Sequence, residues 1–387
     1  MTIVEKILKD DTLFMLLILP TNLNRHKVFK KISHFYFGAI IFNLVWCVLT
    51  IVFTNQWNLF FTQYVAFGSA VFIALTSYVT MYHPTYVKIF YGIYDSTFPS
   101  LWSLRSLGED EYIRFQKLAK IATILAWVIA SVAVLAATLA LPWFMDGYYL
   151  MFPVKIAFDY LSGWTLYLYL IIFYSLLYHA GLTLVANLFC LTHLVLHLYN
   201  QVCLLNKKLT ELPEIEDVVQ AVRDHEYQDR VTREMISCIK LHQTLIEYTG
   251  KINELIYYPT FYYTVSAVAS ALSLLLVPKD ESKSTFLVMV ILGFLAVCVT
   301  VGFCCVGQFL ENESEKLFVS AYSSKWYLWN VKNRKLLQLF LTNTQESMIL
   351  SSSGLITINF QLLISLYRVI YSTLTFLLNV SESIIGQ

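Results

Sequence analysis

Six polar side chains, Gln361, Ser365, Arg368, Ser372, Thr375 and Asn379, recur through an otherwise apolar stretch near the end of the chain. Their spacings of 4, 3, 4, 3 and 4 residues place them on one face of an α-helix. At about 1.5 Å per residue the stripe runs roughly 27 Å, close to the thickness of a bilayer core. Polar groups in hydrocarbon cost free energy unless they meet partners or water. The stripe therefore faces packed protein or a water-filled path. Its chemistry is hydrogen bonding, not bond making. Groups that make and break bonds are missing. There is no phosphate-binding glycine loop, no His-Glu-x-x-His, and no Asp or Glu inside an apolar span. We expect no enzyme, no catalytic residue and no cofactor. His193 and His197 form an i, i+4 pair, but zinc needs more ligands and none are near in sequence, so no metal site is expected.

The elements that must carry this stripe follow from composition. The chain has 387 residues, 57% hydrophobic and 14% charged, with a mean hydropathy of +0.60. That places it in the membrane class. A net charge of +1 gives no reason to expect a nucleic-acid partner. The run Leu13 to Leu19 is short, lies behind acidic residues and lacks a small-residue cleavage site, so no cleaved signal peptide is expected. None of the seven cysteines falls in an expected outer loop, so no disulfide framework is expected.

The hydropathy pattern predicts an all-α chain, one integral domain over residues 1–387. Seven transmembrane spans are expected at 35–53, 64–82, 121–141, 161–199, 256–277, 285–306 and 353–380. Charged helical pieces are expected at 206–255 and 308–352. Leu161 to Leu205 holds no Asp, Glu, Lys or Arg. Those 45 residues would make a helix on the order of 67 Å, about twice the bilayer core. We read one long helix that leaves the membrane and continues beyond it. Met235, Cys238, His242, Leu245, Thr249, Ile252 and Ile256 recur at 3 and 4 spacings and predict an amphipathic helix leading into the fifth span. The inner helical pieces are expected to pack their apolar faces against other subunits.

Charge sets the orientation. With the N-terminus inside, 23 of the 27 Lys and Arg fall on inner segments and three on outer loops, with Arg368 inside the seventh span. The N-terminus is then cytosolic and the C-terminus extracellular. A G-protein-coupled receptor has the opposite orientation, and its Asp-Arg-Tyr and Asn-Pro-x-x-Tyr elements are missing. The patch Lys332 to Lys335 could meet anionic lipid headgroups or water.

The C-terminal third resembles the insect odorant receptors. The resemblance rests on Arg368, Tyr371-Ser372, Thr375 and Leu377. Upstream it rests on Tyr322, Trp326-Tyr327, the basic run Lys332-Asn333-Arg334-Lys335, Leu336-Leu337 and Thr344-Gln345. Glu346-Ser347 stand where the family carries Lys-Pro. Leu241-His242-Gln243 and Asn253-Glu254 extend it, to roughly 140 residues in all. The resemblance implies the divergent, odour-binding subunit of a heterotetrameric, ligand-gated, nonselective cation channel. Its partners would be the insect olfactory co-receptor, a small volatile odorant, membrane lipid and permeating cations. Its place would be the plasma membrane of an olfactory sensory neuron dendrite, and its cytosolic helices would form an anchor domain. A gustatory-receptor-like homomeric channel is the alternative of the same architecture.

Apolar pockets with a few placed polar groups suit small ligands. The resemblance puts the ligand between the outer halves of the helices. The candidates there are Tyr64, Phe67, Gly68 and Val71 on the second span and Ser131, Leu135 and Thr138 on the third. Tyr167, Ile171 and Tyr174 follow on the fourth, and Phe286, Met289 and Val290 on the sixth. A pore gate needs an apolar constriction that dewets. The expected outer-mouth residues are Ser372, Thr375, Phe376, Leu377 and Asn379, with Phe376 or Leu377 as the constriction. Arg368 would repel cations and is expected to face a neighbouring subunit or the inner vestibule.

Overall fold

The computed structural model describes residues 34–42, 84–139, 160–213, 222–275, 283–352 and 354–385, with isolated positions 31, 45, 49 and 157. Residues 34–42 are helical. From there the chain builds α1 (Pro84–Gly92), α2 (Glu109–Leu139), α3 (Trp164–Thr210), α4 (His225–Leu275), α5 (Lys283–Tyr322), α6 (Val331–Asn343) and α7 (Phe360–Ile385). A two-stranded antiparallel hairpin, β1 (Ser351–Ser352) and β2 (Ile356–Thr357), joins α6 to α7. Helix α3 packs against α2, α4 and α5, and α7 lies on α4 and α5.

The uncharged run folds as one helix of 47 residues. Its span-level half is apolar all round, and its distal half carries the main core. Leu194, Val195, Leu198, Val202, Leu205 and Leu209 from α3 meet the buried residues of α4, α5 and α6. On α4 the amphipathic face is buried throughout: Met235, Cys238, His242, Leu245, Thr249, Ile252 and Ile256. Helices α3 and α6 of the same chain cover this face. What stays uncovered is a different set, including Val319, Tyr322, Tyr327, Val331 and Leu339.

A buried polar knot fixes α6 to α4. Asn333 is fully buried. Its Nδ2 donates to the Gln228 carbonyl and to Gln228 Oε1, both at 2.9 Å. Its Oδ1 accepts from Thr232 Oγ1 at 2.7 Å. Gln228 Nε2 donates to the Leu328 carbonyl at 3.0 Å, and Asn330 caps α6 by accepting from the Asn333 N–H at 2.9 Å. A buried amide is tolerated when its partners are supplied in this way.

Helix α7 starts later than the expected span boundary of 353. Gly354 adopts a φ of 66°, which favours glycine, and turns the hairpin. Asn359 then caps the helix, its Oδ1 accepting from the Gln361 and Leu362 N–H groups at 3.1 and 3.3 Å. All six stripe residues still fall on the helix.

Among the described residues alone, no helix is long and apolar enough to cross a membrane. The expected span 64–82 lies outside the described residues, and 35–53 is described at 35–42, 45 and 49 alone.

Candidate ligand pocket and permeation face

Helix α7 turns only one side toward the protein. Leu362, Leu363, Leu366, Ile370 and Leu374 are half-buried, and Leu362 and Leu363 pack on the main core. Gln361, Ser365, Arg368, Ser372, Thr375 and Asn379 are all exposed. The polar stripe is therefore not used as packing against the helices of its own chain. Thr375 Oγ1 donates to the Tyr371 carbonyl at 2.9 Å, which leaves its lone pairs outward. Tyr367 and Tyr371 stack at 6.3 Å on the exposed surface, and Phe376 is 65% exposed. The backbone of Leu377 is helical beside it. Such a face offers hydroxyl and amide oxygens along one line, with aromatic rings on its flank.

The N-terminal end of α7 is held by α5. Glu311 Oε2 of α5 accepts from Asn359 Nδ2 at 3.2 Å. Gln308 Oε1 accepts from the Phe360 N–H at 3.2 Å. One turn away, Gly307 lets the Ile358 carbonyl lie against α5.

The pocket candidates divide. Tyr64, Phe67, Gly68 and Val71 lie outside the described residues. Ser131 is exposed on α2, and Leu135 and Thr138 are placed by backbone only. On α3, Tyr174 is 7% exposed, in a cluster with Leu170 and Phe173. The Phe173 and Tyr174 rings meet edge to face at 5.7 Å. Tyr167 and Ile171 are 59% and 69% exposed. The covered face of this segment thus runs through Leu166, Leu170, Phe173 and Tyr174, one step round the helix from Tyr167 and Ile171. Phe286 and Met289 are placed by backbone only, and Val290 is exposed on α5.

Among the described residues no group of His, Cys, Asp or Glu could hold a metal ion. His193 is buried and His197 half-buried, and the His197 ring lies 6.2 Å from that of Tyr248. Burial pushes the Cys203 and Cys238 thiols up to about 12, so neither is a thiolate at neutral pH. A cleft between the 100–102 segment and α4, lined by Ser100, Trp102, Lys240 and Thr244 among others, is open to solvent.

A family model described as 7tm Odorant receptor matches residues 103–371. The chain belongs to the insect odorant receptor family. The match gives it the all-helical, seven-transmembrane fold of that family. Odorant receptor 85a of Drosophila melanogaster is 24% identical over 150 residues, which is 38% of this chain and 37% of that receptor. The match to this relative thus spans little more than a third of its length. The structure of the olfactory receptor OR5 from Machilis hrabei in complex with eugenol superposes with a TM-score of 0.69 and 12% identity. It covers 92% of this chain and 89% of that one. A second structure of the same receptor gives 0.64 and 11% over the same shares. At these identities the shared property is the fold.

Proposed function

We propose that this chain is the odour-binding subunit of a heterotetrameric, ligand-gated, nonselective cation channel, paired with the insect olfactory co-receptor. The observation that carries the reading is the uncovered polar stripe of α7. A line of hydroxyls and amides that its own chain leaves bare is suited to line a shared, water-filled path. In this reading the N-terminus is cytosolic and the C-terminus extracellular. The outer mouth is formed around Ser372, Thr375, Phe376, Leu377 and Asn379. The receptor sits in the plasma membrane of the olfactory neuron dendrite. Val319, Tyr322, Tyr327, Val331 and Leu339, exposed on the charged half, supply apolar surface for the neighbouring subunits.

The ligand is a small volatile molecule held among the outer halves of the helices, near Tyr174. The solved relative of this fold is in complex with eugenol, a small aromatic alcohol. Binding shifts the closed–open equilibrium only by its differential affinity for the two states.

The deciding experiment is whole-cell current from cells expressing this chain, with and without an insect olfactory co-receptor, across volatile esters, alcohols, aldehydes and aromatics. Ligand-evoked cation current only with the co-receptor supports the reading. Current from this chain alone refutes the heteromeric reading and favours a homomeric, gustatory-like channel.

A further inference from the structure

The segment from Met348 to Phe360 is gripped from two sides by helices that are distant in sequence. From α4, Asn253 uses both ends of its carboxamide. Its Nδ2 donates to the Ile349 carbonyl and its Oδ1 accepts from the Ser351 N–H, each at 3.1 Å. The side chain thus acts as a neighbouring strand would, completing the edge of β1. One turn further on, Ser352 Oγ donates to the Tyr257 carbonyl. From α5, Ser314 Oγ accepts from the Met348 N–H at 2.9 Å. Glu311 holds Asn359, and Gln308 holds the Phe360 N–H. Gly307, Gln308, Glu311 and Ser314 share one face of α5 by their spacing. Ser314, Met348, Leu350, Ser352, Ile358 and Asn359 are all buried, so the bonds at Met348, Ser351 and Asn359 are wholly or partly shielded from water, while that at Phe360 lies at the surface.

Two features make this a joint rather than ordinary packing. Outside the grip, α7 is only half-covered along one side. And α4 carries Pro259 two residues past Tyr257. Proline has no N–H to offer the Leu255 carbonyl, so α4 is weakened at the turn the hairpin holds. A weak turn in α4 and a firm hold on the hairpin let displacement of the outer half of α4 reach α7 through one place.

We infer that this hairpin clamp, with Asn253, Glu311 and Asn359 as its positioning residues, couples α4 and α5 to the permeation helix. The inference rests on the channel reading above. Loosening the clamp weakens coupling without touching the permeation face. Glu311→Ala and Asn253→Ala, each co-expressed with the co-receptor, raise the half-maximal ligand concentration by about fivefold or more, the scale of ordinary coupling energies. Bi-ionic reversal potentials stay unchanged. Glu311→Gln retains an oxygen for Asn359 Nδ2 and restores the wild-type response. Hydrogen exchange on the purified protein gives a second arm. The Met348 and Ser351 amides exchange slowly in the wild type, and Asn253→Ala speeds Ser351 selectively. Unchanged dose–response curves in both alanine variants, at equal surface expression, overturn the inference. So do hairpin amides that exchange freely in the wild type. A wild-type chain silent with every co-receptor and ligand is a separate result: it refutes the channel reading, and the exchange arm still decides whether the clamp exists.

Discussion

Replacing Gly307 by alanine tests the inner end of α7 with a single methyl group. A Cβ built there meets the Ile358 carbonyl oxygen at 1.9 Å, its carbon at 3.0 Å and the Ile358 Cγ2 at 3.2 Å. Real Cβ atoms do not approach a heavy atom within 3.0 Å, so backbone must retreat by at least about 1.1 Å. The Ile358 N–H donates to the Leu350 carbonyl at 2.8 Å across the hairpin, and Asn359 follows it directly. A shift of that size breaks the Asn359–Glu311 and Phe360–Gln308 bonds. Overpacking typically costs about 1–3 kcal/mol, and each such bond about 1 kcal/mol or more, the one to a carboxylate being the stronger. We expect a loss of about 3 kcal/mol. At about 2.1 cal/mol/K of unfolding entropy per residue, that lowers the midpoint by on the order of 4 °C. The assay is thermal unfolding in detergent followed by fluorescence-detected size exclusion. Gly302→Ala, five residues earlier on the same helix, and Gly250→Ala on α4 are the controls. A Cβ at either meets nothing within 4 Å. Alanine there should stabilise by about 0.5–1 kcal/mol through helix propensity. If Gly307→Ala behaves like the controls, the close approach of the hairpin to α5 is wrong.

Four other outcomes follow from the same structure. Asn333→Ala removes the amide that donates to the Gln228 carbonyl and Oε1 and the oxygen that accepts from Thr232, and should cost about 2–3 kcal/mol of stability; an unchanged unfolding midpoint would refute the α4–α6 knot. His242 is buried against the Phe340 ring at 5.1 Å, and burial pulls its pKa from 6.5 down to about 4. Between those values the unfolded chain takes up a proton that the native state refuses, so stability falls as pH falls, by about 3 kcal/mol across the window. His242→Leu should flatten that slope between pH 6.5 and 4, measured as the midpoint difference between the two ends. Asn379→Ala should alter conductance or bi-ionic reversal potential; identical values count against its place at the outer mouth. Tyr174→Ala should shift ligand potency without abolishing surface assembly, and a superimposable dose–response curve removes it from the pocket.

What the sequence disclosed about the fold came from long, unambiguous periods. A run of 45 residues without charge admits no other reading than a helix longer than a bilayer. The seven-residue amphipathic face of α4 is buried at every position named. Sequence could not say what covers that face. Leucines contributed by α3 from tens of residues upstream cover it. A helical wheel likewise relates positions to one another without giving the inward direction. Tyr167, Ile171 and Tyr174 do share a face by spacing, yet the covered side is centred a step away, on Leu170 and Phe173. The hairpin before α7 was illegible for a different reason. Its strands are two residues each, and the side chains that hold it from outside, Asn253 and Ser314, lie 98 and 34 residues from the amides they accept from. Short strands stabilised from outside carry almost no local signal.

The distribution of burial bears on how such a receptor could be both stable and responsive. The densest core joins the distal half of α3 to the charged half of α4, the end of α5 and α6. It holds shape where no ligand is expected. Among the described residues, α7 meets that core at Leu362 and Leu363, and beyond them is half-covered on one side. A helix fixed at one end and lightly held elsewhere can tilt at small cost, because few contacts must be remade. Tilting about the fixed end moves Ser372 to Asn379 furthest, since displacement grows with distance from the pivot. Asn379 lies 20 residues beyond Asn359, about 30 Å along the axis. A rotation of a few degrees there amounts to an ångström or two, the scale on which interhelical shifts switch a packed interface. On the proposed channel reading, the cap at Asn359 therefore governs permeation as much as any residue on the polar stripe, although it is buried beneath the helix.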